Sequence, residues 1–359
     1  MTGNQRIRVG IIGTGFGANV HAPIMQHHPN FEVVAISSVH RGNLEQVKQE
    51  AGVEAVYDDW KEMLDNESLD LLSIASAPYL HFEMAMEGMK RNLHILCEKP
   101  LAFDAKESKE MLQLKDQTGV FGFTNFEWRF LPARQKVKEI LASGQLGKLL
   151  HIHYKCTFTG YQSLTTNKRG WLGQQQFGGG MLGAIGSHMF DSLLWWTSTK
   201  VKDIYGQLPV HVPSTIVDGE TEKRTAEDAF HANGTLETGT TFSVELTSAA
   251  RHKANQWRLE VYGSNGTLVM TDDARVQVAL ENETLADVAL PSRLEEPTHL
   301  SARALSYYQA FYPMLNMVSQ TLRDKKVHPH VPTFEHGQDV QLILDAIRLS
   351  AKEGKKITL

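Results

Sequence analysis

Residues 6–18 read RIRVGIIGTGFGA, an apolar run, Arg6–Ile12, that ends in Gly13-Thr14-Gly15-Phe16-Gly17-Ala18. A short apolar run, a glycine-rich turn and then the helix-period stretch Phe16–His28 make the entry into a βαβ unit. Ala18 stands at the third small position of G-x-G-x-x-G/A, which the dinucleotide-binding fingerprint allows. Gly13 permits the tight turn, and Gly15 lets the backbone approach a pyrophosphate with no Cβ in between. Ala18 lets the helix pack closely on the first strand, and the helix start offers N–H groups to phosphates. Gly13, Thr14, Gly15, Phe16 and Gly17 are therefore the expected cofactor turn.

The grammar continues outward from this turn. Candidate strands Glu32–Ser37, Leu69–Ala75, Leu93–Cys97 and Val120–Thr124 alternate with amphipathic stretches at Asn43–Glu50, Asp59–Leu64, Leu80–Lys90 and Ala105–Thr118. Continuous apolar strands separated by helices describe a parallel, doubly wound sheet covered on both faces. After Thr124 the pattern changes to long β-type segments broken by Gly, Asn and Pro. One helix interrupts them, Met181–Trp196, and two helical stretches close the chain, Ala302–Arg323 and His336–Lys352. The sequence thus divides into a Rossmann domain, residues 1–124, and an α+β domain, residues 125–359, built on a mostly antiparallel open sheet.

Composition narrows the function. The 359 residues are 42% hydrophobic and 21% charged, ordinary values for a globular protein with a sizeable core. A net charge of −5 without a long basic block argues against nucleic acid as the main partner. Two cysteines, Cys97 and Cys156, make neither a disulfide framework nor a four-cysteine zinc site, and point to a reducing compartment. No signal-peptide layout and no apolar run of membrane-spanning length is present, so a cytoplasmic protein without a membrane partner is expected.

The end of the second strand should choose the nucleotide. An acidic side chain there would accept from the ribose 2′-hydroxyl of NAD, whereas an arginine accommodates the 2′-phosphate of NADP. The segment Val34-Ala35-Ile36-Ser37-Ser38-Val39-His40-Arg41 has no carboxylate. Ser37 or Ser38 can hydrogen-bond a phosphate and Arg41 can pair with it, which favours NADP over NAD. The plain alternative is that Arg41 is a solvated residue at a helix start.

Leu93–Cys97 runs into Glu98-Lys99-Pro100. Ligands of open α/β sheets sit beyond the carboxyl ends of the strands, where Lys99 falls, and Pro100 stiffens its turn. On spacing alone Lys99 also fits a surface lysine at a strand–helix junction.

Here the sequence resembles a known family, the Gfo/Idh/MocA oxidoreductases (glucose–fructose oxidoreductase and inositol 2-dehydrogenase-like). The matching pieces are VGIIGTGFGA, SAPYLHFEMAMEG, LHILCEKPLAF, RFLPARQKVKEILASGQLGKL, GGGMLGAIGSHMFD, VYGSNGTLVM and FEHGQDVQLILDAIRLSAKEGKKITL, in family order over nearly the whole chain. The resemblance implies a Rossmann domain, a C-terminal domain with an open sheet, and homodimers or homotetramers formed through that sheet. It also implies that Lys99 lies near substrate and nicotinamide, and that Ala75, Ser76, His81 and Glu98 belong with the cofactor-binding set.

Gly178-Gly179-Gly180 precedes the helix that carries Gly186, His188 and Asp191. Such glycines allow close approach of backbone to a ligand or a neighbouring chain. His188 and Asp191, three apart, share a helix face, so Asp191 can orient or charge-stabilise the imidazole. A histidine suits proton exchange with a hydroxyl near neutral pH. Members of the resembled family carry an aspartate four residues before this histidine, in a D-x-G-x-H pattern, whereas this chain has Ala184. Tyr161, Lys168, Arg169 and Trp171 precede the glycine run and are candidates to line a polar substrate pocket, with Arg129 a weaker one. His151 and His153 share a strand face, but with no third ligand beside them they read as a solvent-facing pair, and no metal is expected.

Together with these residues, the resemblance implies an NAD(P)-dependent oxidoreductase acting on a secondary alcohol or ketone of a sugar, polyol or cyclitol, with Lys99 and His188 catalytic. The alternatives are a cofactor-binding sensor or assembly protein with little catalysis, and a dehydrogenase of dihydrodiols or other carbonyl compounds.

Overall fold

The computed structural model describes residues 5–38 and 44–359. Their contacts divide into two compact units, residues 1–130 with 293–338, and residues 131–292 with 339–359. Residues 293–338, which the sequence reading assigns to the second domain, thus count with the first.

The first unit holds six parallel strands, β1 (Ile7–Ile12), β2 (Phe31–Ser37), β3 (Ala55–Tyr57), β4 (Leu71–Ile74), β5 (His94–Cys97) and β6 (Gly122–Thr124). Their order is β3-β2-β1-β4-β5-β6, the doubly wound arrangement whose strand ends face ligands. Apolar side chains of β1, with Phe31 and Ile36 of β2, bury against Val20 and Met25 and against Phe311, Met314, Leu315 and Val318 of the helix Ala302–Asp324. That helix therefore covers a face of the Rossmann sheet, although it lies about 180 residues along the chain from the last strand it serves; chain order alone hides this. The other face packs Leu72, Ile74 and Ile95 on Met84, Met89 and Met111 of the helices Pro78–Lys90 and Ala105–Thr118. Asp104 caps the latter by accepting from the Lys106 and Glu107 N–H groups, and Gly119 ends it in the left-handed conformation.

The second unit is built on nine strands: β7 (Leu149–Thr157), β8 (Val201–Gln207), β11 (Ala229–Leu236), β12 (Thr241–Thr247), β13 (Trp257–Gly263), β14 (Gly266–Thr271), β15 (Arg275–Leu280), β16 (Ala286–Asp287) and β17 (Ile357–Thr358). They lie in the order β16-β15-β14-β13-β7-β12-β11-β8-β17. Only β7 and β12 pair in parallel. A separate hairpin, β9 (Ser214–Val217) with β10 (Glu220–Lys223), lies outside this sheet. In β7 and β12 alternate residues are buried, Ile152, Tyr154 and Cys156 beside Phe242, Val244 and Leu246, so one face is core and the other polar. The expected helix Met181–Trp196 is instead a π-turn, Leu182–Gly186, continued by the α-helix Ser187–Thr197. Among the described residues no helix is long and apolar enough to cross a membrane.

Candidate active site

The glycine turn is shaped partly by the protein and partly for something else. Gly13 has φ +121°, and a Cβ there would meet the Ala75 carbonyl oxygen at 2.4 Å. A Cβ on Gly17 would press on Ile11 at 2.8 Å. Packing therefore explains both. At Gly15, which is exposed, an added Cβ meets nothing within 4 Å. Open space over an exposed glycine in a Rossmann turn fits the approach of a dinucleotide pyrophosphate, so the residues present suit that group. Thr14 and Phe16 flank this space half-buried, and Phe16 packs edge-on against Tyr307 at 4.8 Å.

The remaining cofactor candidates divide. Ser37 is fully buried, and its hydroxyl already donates to the Ser38 carbonyl at 3.1 Å. Ser38 is also buried, and Arg41 lies outside the described residues. Ala75 closes the β1–β4 junction by donating its N–H to Ile12, and the half-buried Ser76 hydroxyl lies 3.4 Å from Met84 Sδ. His81, expected at the cofactor, is completely buried, with Nδ1 3.0 Å from the Pro100 carbonyl and Nε2 3.1 Å from the Ser76 carbonyl. It ties the two strand-end loops together; burial lowers its pKa.

Lys99 follows β5 half-buried, with a cis bond to Pro100. Glu98 beside it is buried: Oε1 lies 3.1 Å from His21 Nε2 and accepts from Asn125 Nδ2, while Oε2 accepts the Lys99 backbone N–H at 3.3 Å. His21 has no exposed surface, meets Ser73 Oγ through Nδ1 at 2.8 Å, and stacks on Phe311 at 4.6 Å. Burial raises the Glu98 pKa, but the His21 hydrogen bond, the Lys99 charge and Asn125 together win and lower it. Sequence reasoning missed His21, Ser73 and Asn125; the histidine at the end of the turn helix gave the one available signal.

In the second unit His188 and Asp191 are both buried on the helix Ser187–Thr197. The His188 carbonyl accepts from Ser192 Oγ at 2.8 Å, and that hydroxyl is held in turn by Arg134 Nη1 at 2.9 Å. The glycines before this helix serve the chain itself. A Cβ on Gly179 would strike the Trp171 carbonyl at 2.4 Å, and Gly180, at φ +109°, abuts the Glu227 carboxylate. Glu227 accepts the Leu182 N–H at 2.9 Å and so fastens the π-turn, and burial raises its pKa. Ala184 sits half-buried within that turn.

The expected pocket-lining residues are organised by the β9–β10 hairpin, which sequence reasoning missed. Glu222 accepts the Arg169 and Gly170 N–H groups at 2.9 and 3.0 Å and pairs with Arg224 at 2.9 Å. Arg224 also donates to the Leu164 and Asn167 carbonyls. Burial, then the Arg224 charge, lowers the Arg169 pKa, and its Nη2 lies 3.4 Å from Met181 Sδ. Tyr161 is covered by the Arg251 guanidinium at 4.3 Å, and Trp171 is exposed. His151 and His153 each meet a β12 hydroxyl, Thr241 at 2.8 Å and Ser243 at 2.7 Å. Among the described residues no three His, Cys, Asp or Glu side chains converge to hold a metal ion.

Residues 7–126 match a family model described as an oxidoreductase family with an NAD-binding Rossmann fold, and residues 134–269 match the GFO/IDH/MocA C-terminal domain. An uncharacterized oxidoreductase of Synechocystis is 30% identical over 98% of this chain and 96% of its own length. Levoglucosan dehydrogenase of Pseudarthrobacter phenanthrenivorans is 25% identical over 97% of this chain and 96% of its own. A solved structure of levoglucosan dehydrogenase in complex with NADH and L-sorbose shares the fold, with a TM-score of 0.88 at 22% identity over 98% of both chains.

Proposed function

The chain belongs to the GFO/IDH/MocA oxidoreductase family, and on that premise we propose that it dehydrogenates a secondary alcohol of a sugar, polyol or cyclitol, or reduces the matching ketone, with NADP preferred over NAD. The observation that carries this reading is Lys99 at the end of β5, in a Rossmann unit whose exposed Gly15 leaves room for a pyrophosphate. The nicotinamide, when bound, supplies the hydride chemistry. Gly13, Thr14, Gly15, Phe16 and Gly17 form the turn over which the phosphates of the dinucleotide would lie, Gly13 and Gly17 by letting it close and Gly15 by leaving the approach open. Lys99 donates a hydrogen bond to the reacting oxygen and stabilises negative charge that develops there. His188 takes the hydroxyl proton in the oxidative direction and returns it in the reductive one. Arg169, Trp171 and Tyr161 contact substrate, and Asp191 supports the imidazole. The preference for NADP is supported by the absence of any carboxylate between Glu32 and Glu45. A relative named for levoglucosan supports the sugar class. Assembly into a homodimer or homotetramer through the polar sheet face, in the cytoplasm, completes the reading; Cys97 and Cys156, both free and buried, agree with a reducing compartment.

The test is a panel of sugars, polyols and cyclitols followed at 340 nm with each nucleotide, wild type against Lys99→Met. Lys99→Met should lose about 10²–10⁴-fold in turnover with cofactor affinity unchanged. Unchanged turnover removes Lys99 from the chemistry. Ala184 favours a second reading, a nucleotide-binding protein with little catalysis. Tight nucleotide binding with no turnover across the panel would decide for it.

A further inference from the structure

A carboxylate removed from water stays charged only when donors replace its hydration. Glu98 has such donors from three separate segments: the His21 imidazole, the Asn125 amide and the Lys99 backbone N–H. His21 Nε2 donates to the Glu98 carboxylate, which can only accept, its Nδ1 meets the Ser73 hydroxyl, and Phe311 and Phe16 fix the plane of the ring. On the far side of Lys99, His81 holds the Pro100 carbonyl. The backbone of the lysine is thus gripped from both ends by buried side chains.

We propose that His21, backed by Ser73 and joined by Asn125, is a positioning residue: it keeps the Glu98 carboxylate ionised and oriented, and that fixed charge with its grip on the Lys99 backbone sets where the Lys99 ammonium points. This rests on the reading of Lys99 given above. Titratable groups that feel the Glu98 charge include Cys97 at the end of β5, His81 on the helix Pro78–Lys90 and Tyr307 on the helix Ala302–Asp324. Burial drives all three toward their neutral forms: it raises Cys97 and Tyr307 and lowers His81. The Glu98 carboxylate, which accepts the Lys99 backbone N–H, is therefore a negative charge set next to the lysine, while the buried Glu127 carboxylate shares the field at Tyr307.

The test separates this role from a merely structural network by its pH signature. With His21 removed, burial acts on Glu98 against weaker opposition, so the carboxyl should take up its proton at higher pH. His21→Phe, which can still pack on Phe311 and Phe16, is compared with wild type, Glu98→Gln and the double variant. The Glu98 carboxyl is followed by ¹³C-glutamate NMR, assigned as the signal missing in Glu98→Gln. The kcat profile is followed with NADP and, in turn, levoglucosan, myo-inositol and D-glucose. His21→Phe should raise the titration midpoint of Glu98 by about two units or more. The same shift should appear as a new acid limb in kcat, absent from the double variant. Asn125→Leu, which removes the other side-chain donor, should do the same to a smaller degree and serves if His21→Phe does not fold. An unshifted midpoint, or a uniform loss of activity with no new limb, overturns the proposal; if none of the three substrates turns over, the midpoint alone decides. Lys99→Met measured alongside keeps the two ideas apart. Full activity in that variant sinks the reading of Lys99, whereas an inactive Lys99→Met with an unshifted Glu98 sinks only the role of His21.

Discussion

His336 Nδ1 lies 3.0 Å from the Thr333 backbone nitrogen and accepts its N–H, at the start of the helix Phe334–Glu353. A capping box uses Glu or Gln at this third helical position to reach back to the N-cap; here an imidazole does it, and only while Nδ1 is unprotonated. Burial, then the Arg129 charge, lowers the His336 pKa from 6.5 to about 3, against a smaller pull from Glu335. The unfolded chain therefore takes up the proton first. The stabilisation is complete above pH 6.5 and drains away as pH falls from there toward 3. His28 and His81, also lowered by burial, act in the same direction. Melting temperature should fall between pH 7 and pH 5, and His336→Gln, which keeps an acceptor, should flatten part of that slope. Identical slopes in the two proteins would refute the assignment.

A second expectation concerns stability in the other unit. Arg134, with no exposed surface, makes a two-pronged contact with Asp273, Nε to Oδ1 at 2.9 Å and Nη2 to Oδ2 at 3.0 Å. Its guanidinium lies among the rings of Tyr154, Trp196 and Trp257, 5.4–5.8 Å from their centres. Removing one partner leaves a buried charge uncompensated, so Asp273→Ala should cost about 3–5 kcal/mol in a denaturant titration. Arg134→Met leaves the Asp273 carboxylate unpaired and should cost stability on the same scale; because Arg134 also holds Ser192 against the His188 carbonyl, it should in addition lower the turnover of the protein that remains folded. A loss of stability alone, with turnover intact, would detach Arg134 from the histidine helix.

The residues that were legible in the sequence are those whose signal is local. The β1 run with its turn and the amphipathic stretch Ala105–Thr118, which the structure shows as a helix with those same bounds, are each read within a few positions. His151 and His153, read as sharing a strand face, do so on β7, where Ile152, Tyr154 and Cys156 fill the buried face. What stayed hidden depends on contacts far apart in sequence. The helix Ala302–Asp324 looks like any amphipathic helix until Phe311 is found stacked on His21. Glu222 is an ordinary charged residue until its hairpin returns against Arg169 and Gly170. The glycines at 179 and 180 were read for ligand access, yet their space is taken by Trp171 and Glu227, which no spacing rule connects to them.

Space also gives the third expectation. An alanine Cβ at Gly15 meets no protein atom within 4 Å, so Gly15→Ala should melt like wild type. It should nevertheless weaken nucleotide binding, by about tenfold or more, because the Cβ then occupies the approach of the pyrophosphate. Gly13→Ala should behave in the opposite way and unfold more readily, since its Cβ runs into the Ala75 carbonyl at a φ of +121°. Calorimetric titration beside melting curves reads both. Equal affinity in Gly15→Ala would mean that the nucleotide binds elsewhere.

The last expectation concerns which nucleotide the protein prefers. With Ser37 committed to the Ser38 carbonyl, a 2′-phosphate must draw on Ser38 and Arg41 for its recognition. A charge-assisted contact of that kind contributes about 1.5–3 kcal/mol, or roughly ten- to a hundredfold in affinity. Arg41→Ala should therefore weaken NADPH by that factor and leave NADH nearly unchanged, while Ser37→Ala should alter neither by more than about twofold. The salt dependence gives an independent check, since an arginine–phosphate contact at the surface weakens as ionic strength rises and a ribose hydroxyl contact does not. Equal losses for the two nucleotides in Arg41→Ala would show that the arginine does not read the phosphate, and wild-type binding that favours NADH would remove the NADP assignment altogether.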